Sequence, residues 1–150
     1  MKIGFWETLP ILQSKMEREI SLSPFREQIQ TEKARENAFY DLILCDKNYF
    51  PSQIPFQSGI YLIPGSARIF SPPEKGILLT GGMNREDSVS FSSIGEEEAL
   101  LCLEREIFLG EKSIVPFEMK VPFDRSFSLY KNIASGFART LITLFFTEEL

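Results

Sequence analysis

The residues of this chain best placed to do chemistry stand in one loop, Leu79-Thr80-Gly81-Gly82-Met83-Asn84-Arg85, which closes an apolar strand. Ser90-Phe91-Ser92-Ser93-Ile94-Gly95 follows it and runs into Glu96-Glu97-Glu98. Gly81 and Gly82 would let backbone N–H groups come close to a ligand. Thr80 and Asn84 offer hydrogen bonds, and Arg85 or Arg68 offers a guanidinium for a carboxylate or phosphate. Asp46 closes the apolar run Tyr40-Asp41-Leu42-Ile43-Leu44-Cys45 and could accept hydrogen bonds from hydroxyls. In a parallel α/β sheet the carboxyl ends of the strands share one edge, where such folds bind ligands. The expected site is therefore Asp46, Arg68, Thr80, Gly81, Gly82, Asn84 and Arg85, holding a small polar ligand. The competing reading makes Gly81-Gly82 a tight connection and leaves the arginines in solvent.

Composition narrows the chemistry. The chain has no histidine, the side chain whose ordinary pKa suits acid–base work and metal ligation near neutrality. Ser–His and Cys–His nucleophilic systems are thereby excluded. A dinucleotide site needs Gly-x-Gly-x-x-Gly after the first strand and a P-loop needs a terminal Gly-Lys-Ser/Thr, and neither occurs. A helix beginning after Ser93 would offer N–H groups, but Glu96, Glu97 and Glu98 would repel phosphate there. Cys45 and Cys102 lack metal or redox spacing and read as small apolar side chains. No catalytic residue, metal or cofactor is assigned. With 16 basic against 21 acidic residues the net charge is −5, which argues against a nucleic acid or an anionic membrane as partner.

These residues need a scaffold, and 150 residues suffice for a single α/β domain. Ile3–Trp6 reads as a first strand, followed by a helix capped by Thr8 with Leu9, Leu12, Met16 and Ile20 at helical spacing. Lys2–Trp6 is too short for a signal core and no stretch spans a bilayer, so a cytoplasmic protein is expected. Residues 24–30 are ambiguous, residues 31–38 favour helix, and Phe39–Cys45 has the profile of a strand buried on both faces. Residues 47–58 form a surface connection, and Ile60–Ile63 is a strand. Arg68–Phe70 and Ile77–Thr80 flank the turn-rich Ser71–Gly76, which would suit a hairpin or a tight β-connection. Ser88–Ser92 alternates as a strand, and residues 96–109 carry the acidic first turn and terminal Gly110 of a helix. Ile114–Met119 is an edge or broken strand because Pro116 cannot donate to a ladder. Residues 126–146 form a final helix with a broad apolar face. Four Pro-Phe pairs ending in Phe25, Phe56, Phe117 and Phe123 would pin connections onto the core.

Two resemblances follow from these residues. Thr80-x-Gly82-Met83, Ser92-Ser93-Ile94, Cys102-Leu103-x-Arg105 and Gly110-x-x-x-Ile114-x-Pro116-x-Glu118 resemble the motifs of a family of small uncharacterised bacterial proteins. The family position between Thr80 and Gly82 is often Cys, and Gly81 stands there instead. The likeness implies a Rossmann-like sheet and carries no activity with it. Tyr40–Asp46 is similar to the phosphoacceptor strand of receiver domains, which would make Asp46 the acceptor, Glu7 the acidic metal site, Thr80 the switch hydroxyl and Lys120 the lysine.

The fold expected is a three-layer, Rossmann-like α/β domain with a mostly parallel sheet and an irregular or antiparallel edge. The function expected is a non-catalytic binding or regulatory module with a strand-end pocket. It would self-associate through Phe137, Leu141, Leu144, Phe145 and Phe146 of the last helix. The alternative is a small or degenerate enzyme using Asp46, Thr80 and Arg85 on a small polar or phosphorylated substrate.

Overall fold

A computed structural model describes residues 1–6 and 10–147. Glu7, Thr8 and Leu9, for which the sequence suggests a metal-site acid, a helix cap and a core position, lie outside the described residues. The chain folds as mixed α/β with a large, mostly parallel sheet and two α-helices among the described residues.

β1 (Lys2–Trp6), β3 (Phe39–Cys45), β5 (Gln57–Pro64) and β7 (Ile77–Gly81) lie side by side and parallel, and their buried runs of Ile, Leu and Tyr account for this central position. β2 (Gln30–Lys33) adds a parallel edge beside β1. β8 (Val89–Ile94) starts where β7 stops, touching it through the single pair Gly81 and Val89. β8 then forms a hairpin with β9 (Glu98–Leu103), and β12 (Phe117–Pro122) pairs antiparallel with β9 as the other edge. The order across the sheet is β12-β9-β8-β7-β5-β3-β1-β2. Between β9 and β12 sits a small hairpin of β10 (Ile107–Leu109) and β11 (Lys112–Ile114), and Val115-Pro116 separates β11 from β12. The expected broken strand is therefore realised.

α1 (Pro10–Ser21) and α2 (Leu129–Phe146) pack together on one face. Leu12, Met16 and Ile20 of α1, with Ile133, Phe137 and Leu141 of α2, meet Ile3, Phe5, Leu44, Leu62, Leu79 and Phe91 from the sheet. The opposite face is covered without α-helix. The connections after β3 and β5 lie across it, held by β4 (Tyr49–Phe50) pairing in parallel with β6 (Arg68–Ile69). Phe50 and Phe56 from these connections pack with Tyr40, Ile43, Tyr61 and Ile63 in a second apolar cluster. Alternation along the strands supplies one set of side chains to each cluster.

The differences from the sequence reading have physical causes. Residues 31–33 belong to β2 and residues 34–38 form no helix, because the backbone of Gln30–Lys33 completes the ladder of β1. Residues 96–109 hold β9 and β10. The helix formers of Glu98–Leu103 are overruled by two antiparallel neighbours, and Gly95 N–H bonds to the Glu98 carbonyl at the hairpin turn (2.7 Å). Residues 68–70 and 77–80 form no hairpin, since β6 pairs with β4 and β7 with β5. The final helix lies where expected, and Phe137, Leu141 and Leu144 are buried under it. Phe145 and Phe146, the other two residues named for self-association, are partly buried against the same cluster. Phe25, Phe56, Phe117 and Phe123 all pack onto one of the two clusters, as the Pro-Phe pairs suggest.

Candidate functional site

The carboxyl ends of β3, β5 and β7 finish level with one another. Leu44 is paired with Leu62, Ile63 with Thr80 and Pro64 with Gly81, so Asp46 and Gly81 fall on one line across the sheet. At about 4.8 Å per strand they are about 10 Å apart. The shared rim proposed from the sequence exists, but side-chain direction divides its members. Leu79 packs in the helix-side cluster and Leu78 against the loop-side one, so alternation sends Thr80 toward the loops. Asp46 lies on the helix side, where it feels the charge of Lys131 in the first turn of α2. Burial pushes the Asp46 carboxyl above its ordinary range, and Lys131 opposes that rise.

Tyr130 closes the helix side of the rim. Its hydroxyl shares one proton between the carbonyls of Cys45 (2.6 Å) and Leu62 (3.0 Å), so it sits over the ends of β3 and β5 at once. Part of the residue stays accessible, yet desolvation of the hydroxyl pushes its pKa well above the ordinary value, with Cys45 and Asp46 adding to the rise. The entry into α2 is set from its own end. Ser128 accepts from Lys131 N–H (3.2 Å) as the N-cap, and buried Asn132 accepts from Asp124 N–H and donates to the Asp124 carbonyl, both at 2.9 Å. Gly81 is small for this packing: a Cβ there would lie 3.0 Å from Ile133 Cγ2 and 3.3 Å from the Tyr130 ring.

Gly82 has a different neighbour. Asp87, 3% exposed, places its carboxyl where Cβ atoms on Gly65 and Gly82 would stand. Asp87 Oδ2 accepts from Asn84 N–H (3.0 Å) and Asp87 N–H returns a bond to the Asn84 carbonyl (3.1 Å), closing the loop between β7 and β8. Asp87 Oδ1 is buried and has no hydrogen-bond partner among the described residues. A buried acceptor left unsatisfied costs about 1–3 kcal/mol, so a donor at this position would stabilise the fold.

The remaining expected residues are dispersed. Asn84 and Arg85 are exposed in the loop over β7 and β8. Arg68 is exposed on β6, its guanidinium 5.0 Å from the Phe70 ring centre. Lys120 is on β12, paired with Glu98 at 3.5 Å and five strand spacings from Asp46, about 24 Å. The receiver constellation is therefore not assembled. Sequence reasoning missed Asp87 and Tyr130. The Asp87-Ser88-Val89 junction signals a turn into a strand, but the two glycines that enclose the carboxyl follow the ends of separate strands, Gly65 after β5 and Gly82 after β7. The rim contains no group of three or more Cys, Asp or Glu that could hold a metal ion among the described residues. No helix among them is long and apolar enough to cross a membrane. Thr80 to Ile94 form the end of β7, the loop closed by Asp87, and β8. Set beside known proteins, the chain matches no protein-family model, no curated protein and no solved structure.

Proposed function

We propose that this protein is a non-catalytic binding module that takes a small, hydrogen-bond-donating ligand, a polyol or a primary amine, at the carboxyl rim of its parallel strands. The observation that supports the reading most is the buried, unpartnered Oδ1 of Asp87 between Gly65 and Gly82. A ligand N–H or O–H would satisfy it. The sheet then serves as a Rossmann-like core with its ligand at the strand ends, where open α/β sheets bind theirs, and the aromatic connections take the place of one helix layer. A thermal-shift screen of polyols, sugars and primary amines tests this. The expected result is a saturable rise in Tm with at least one such compound, about 2.7 kcal/mol of stabilisation at a hundredfold excess over Kd, abolished in Asp87→Asn. A screen in which nothing shifts Tm, or in which the shift persists in that variant, overturns the reading.

A further inference from the structure

The space between the far halves of α1 and α2 has its own chemistry. α1 follows closely on β1, and α2 begins at Leu129 with Tyr130 of its first turn at the rim, so both run from the rim toward the amino ends of the strands. There the Met1 ammonium group donates to the Gln28 carbonyl (2.8 Å) and Phe25 stacks on Phe146 with ring centres 5.0 Å apart. A cavity of about 420 Å³ opens between the far halves of α1 and α2 and the turn at residues 22–25. Its size falls in the range of small-molecule pockets, roughly 300–1,000 Å³. Met16, Ile20 and Ile142, all buried, provide an apolar floor, and Phe25 one wall.

Two opposite charges stand at the mouth, Glu19 from α1 and Arg139 from α2. They are not joined to each other by an ion pair among the described residues. Glu19 instead accepts from Ser135 Oγ (3.2 and 3.4 Å to its two oxygens). Ser135 precedes Arg139 by four residues on α2, a rise of about 6 Å, so the carboxylate and guanidinium are offset by about one helical turn along a single cavity wall. A ligand that suits this arrangement carries an ammonium and a carboxylate close together and an apolar body. We infer that the cavity between α1 and α2 binds a free apolar α-amino acid, with its ammonium on Glu19, its carboxylate on Arg139 and its side chain over Met16, Ile20 and Ile142. Charge-assisted hydrogen bonds to both head groups would fix its orientation, and the apolar floor would select against small or polar side chains. Leu22, 81% exposed, also lines the cavity.

Isothermal titration of the whole chain with L-leucine and L-phenylalanine tests this, with glycine, 3-methylbutylamine and 4-methylpentanoate as comparators lacking the side chain, the carboxylate and the ammonium respectively. Saturable binding of leucine or phenylalanine is expected, with each comparator at least about tenfold weaker. Glu19→Gln and Arg139→Gln should each weaken it about tenfold without changing the unfolding midpoint, and Asp87→Asn should leave it unaltered. Absence of saturable binding by either amino acid overturns the inference. So does equal binding of any comparator, or indifference to both cavity substitutions. Loss of binding in Asp87→Asn would assign the ligand to the rim and remove it from this cavity.

Discussion

Tyr130 shows how much one hydroxyl can organise. It bonds to the ends of two strands and packs its ring on the glycine that ends a third. Tyr130→Phe keeps the ring and leaves two carbonyls short of a donor, so a loss of about 1–3 kcal/mol in urea unfolding is expected. Gly81→Ala attacks the same contact from below. Ile133 and the Tyr130 ring would have to yield, and a loss of similar size, about 1–3 kcal/mol, should appear in the same assay. Asp46 behaves in the opposite sense. Because burial raises its folded-state pKa above the ordinary 3.8, its favourable contribution is complete below that pH and is lost as pH rises through the folded value. Asp46→Asn should therefore raise the unfolding midpoint at neutral pH and give no advantage below about pH 3.8. At this scale the sequence was informative about Asp46, because a carboxyl after an apolar run must stand at a strand end. It could not reveal Asp87, whose significance rests on Gly65 arriving from the end of β5 to meet it beside Gly82.

At the scale of elements, strands with two buried faces could be read directly. Phe39–Cys45 and Ile60–Ile63 are apolar throughout because one set of side chains faces the helices and the other the aromatic connections. Segments at the margins could not be read so, because Gln30–Lys33 and Glu98–Leu103 have no strand preference of their own and take their conformation from the neighbours they pair with. The aromatic layer illustrates the same dependence. A stretch with two prolines reads as surface, yet Phe50 within it is 1% exposed and packs edge-on to Trp6 and Tyr61, 5.9 and 5.6 Å between ring centres. Phe50→Ala should cost about 3–5 kcal/mol in denaturant unfolding followed by circular dichroism, the loss typical of a core phenylalanine. A loss below about 1 kcal/mol would place that layer outside the cooperative core.

For the molecule as a whole, the two clusters share an exposure to alkali. Burial raises the pKa of Tyr40 and Tyr61 on the loop side as it does that of Tyr130 on the helix side. Each favours the neutral phenol in the folded state, so its contribution is intact below the unfolded value of 10.0 and is lost as pH climbs through the folded one. Unfolding free energy should hold near pH 8 and fall steeply above about pH 10, with tyrosinate absorbance rising together with unfolding. Tyrosinate absorbance that rises fully before the protein unfolds would contradict this.

Trp6 is the one tryptophan of the chain, and its ring meets Phe50 and Phe56 edge-on at 5.9 and 5.1 Å with Lys47 Nζ 4.5 Å above it. The protein thus carries a native fluorophore on the side that lacks helices, whereas far-ultraviolet ellipticity near 222 nm is dominated by α1 and α2 on the other. Following both signals through one denaturation ramp would time the loosening of each side separately, with no label added.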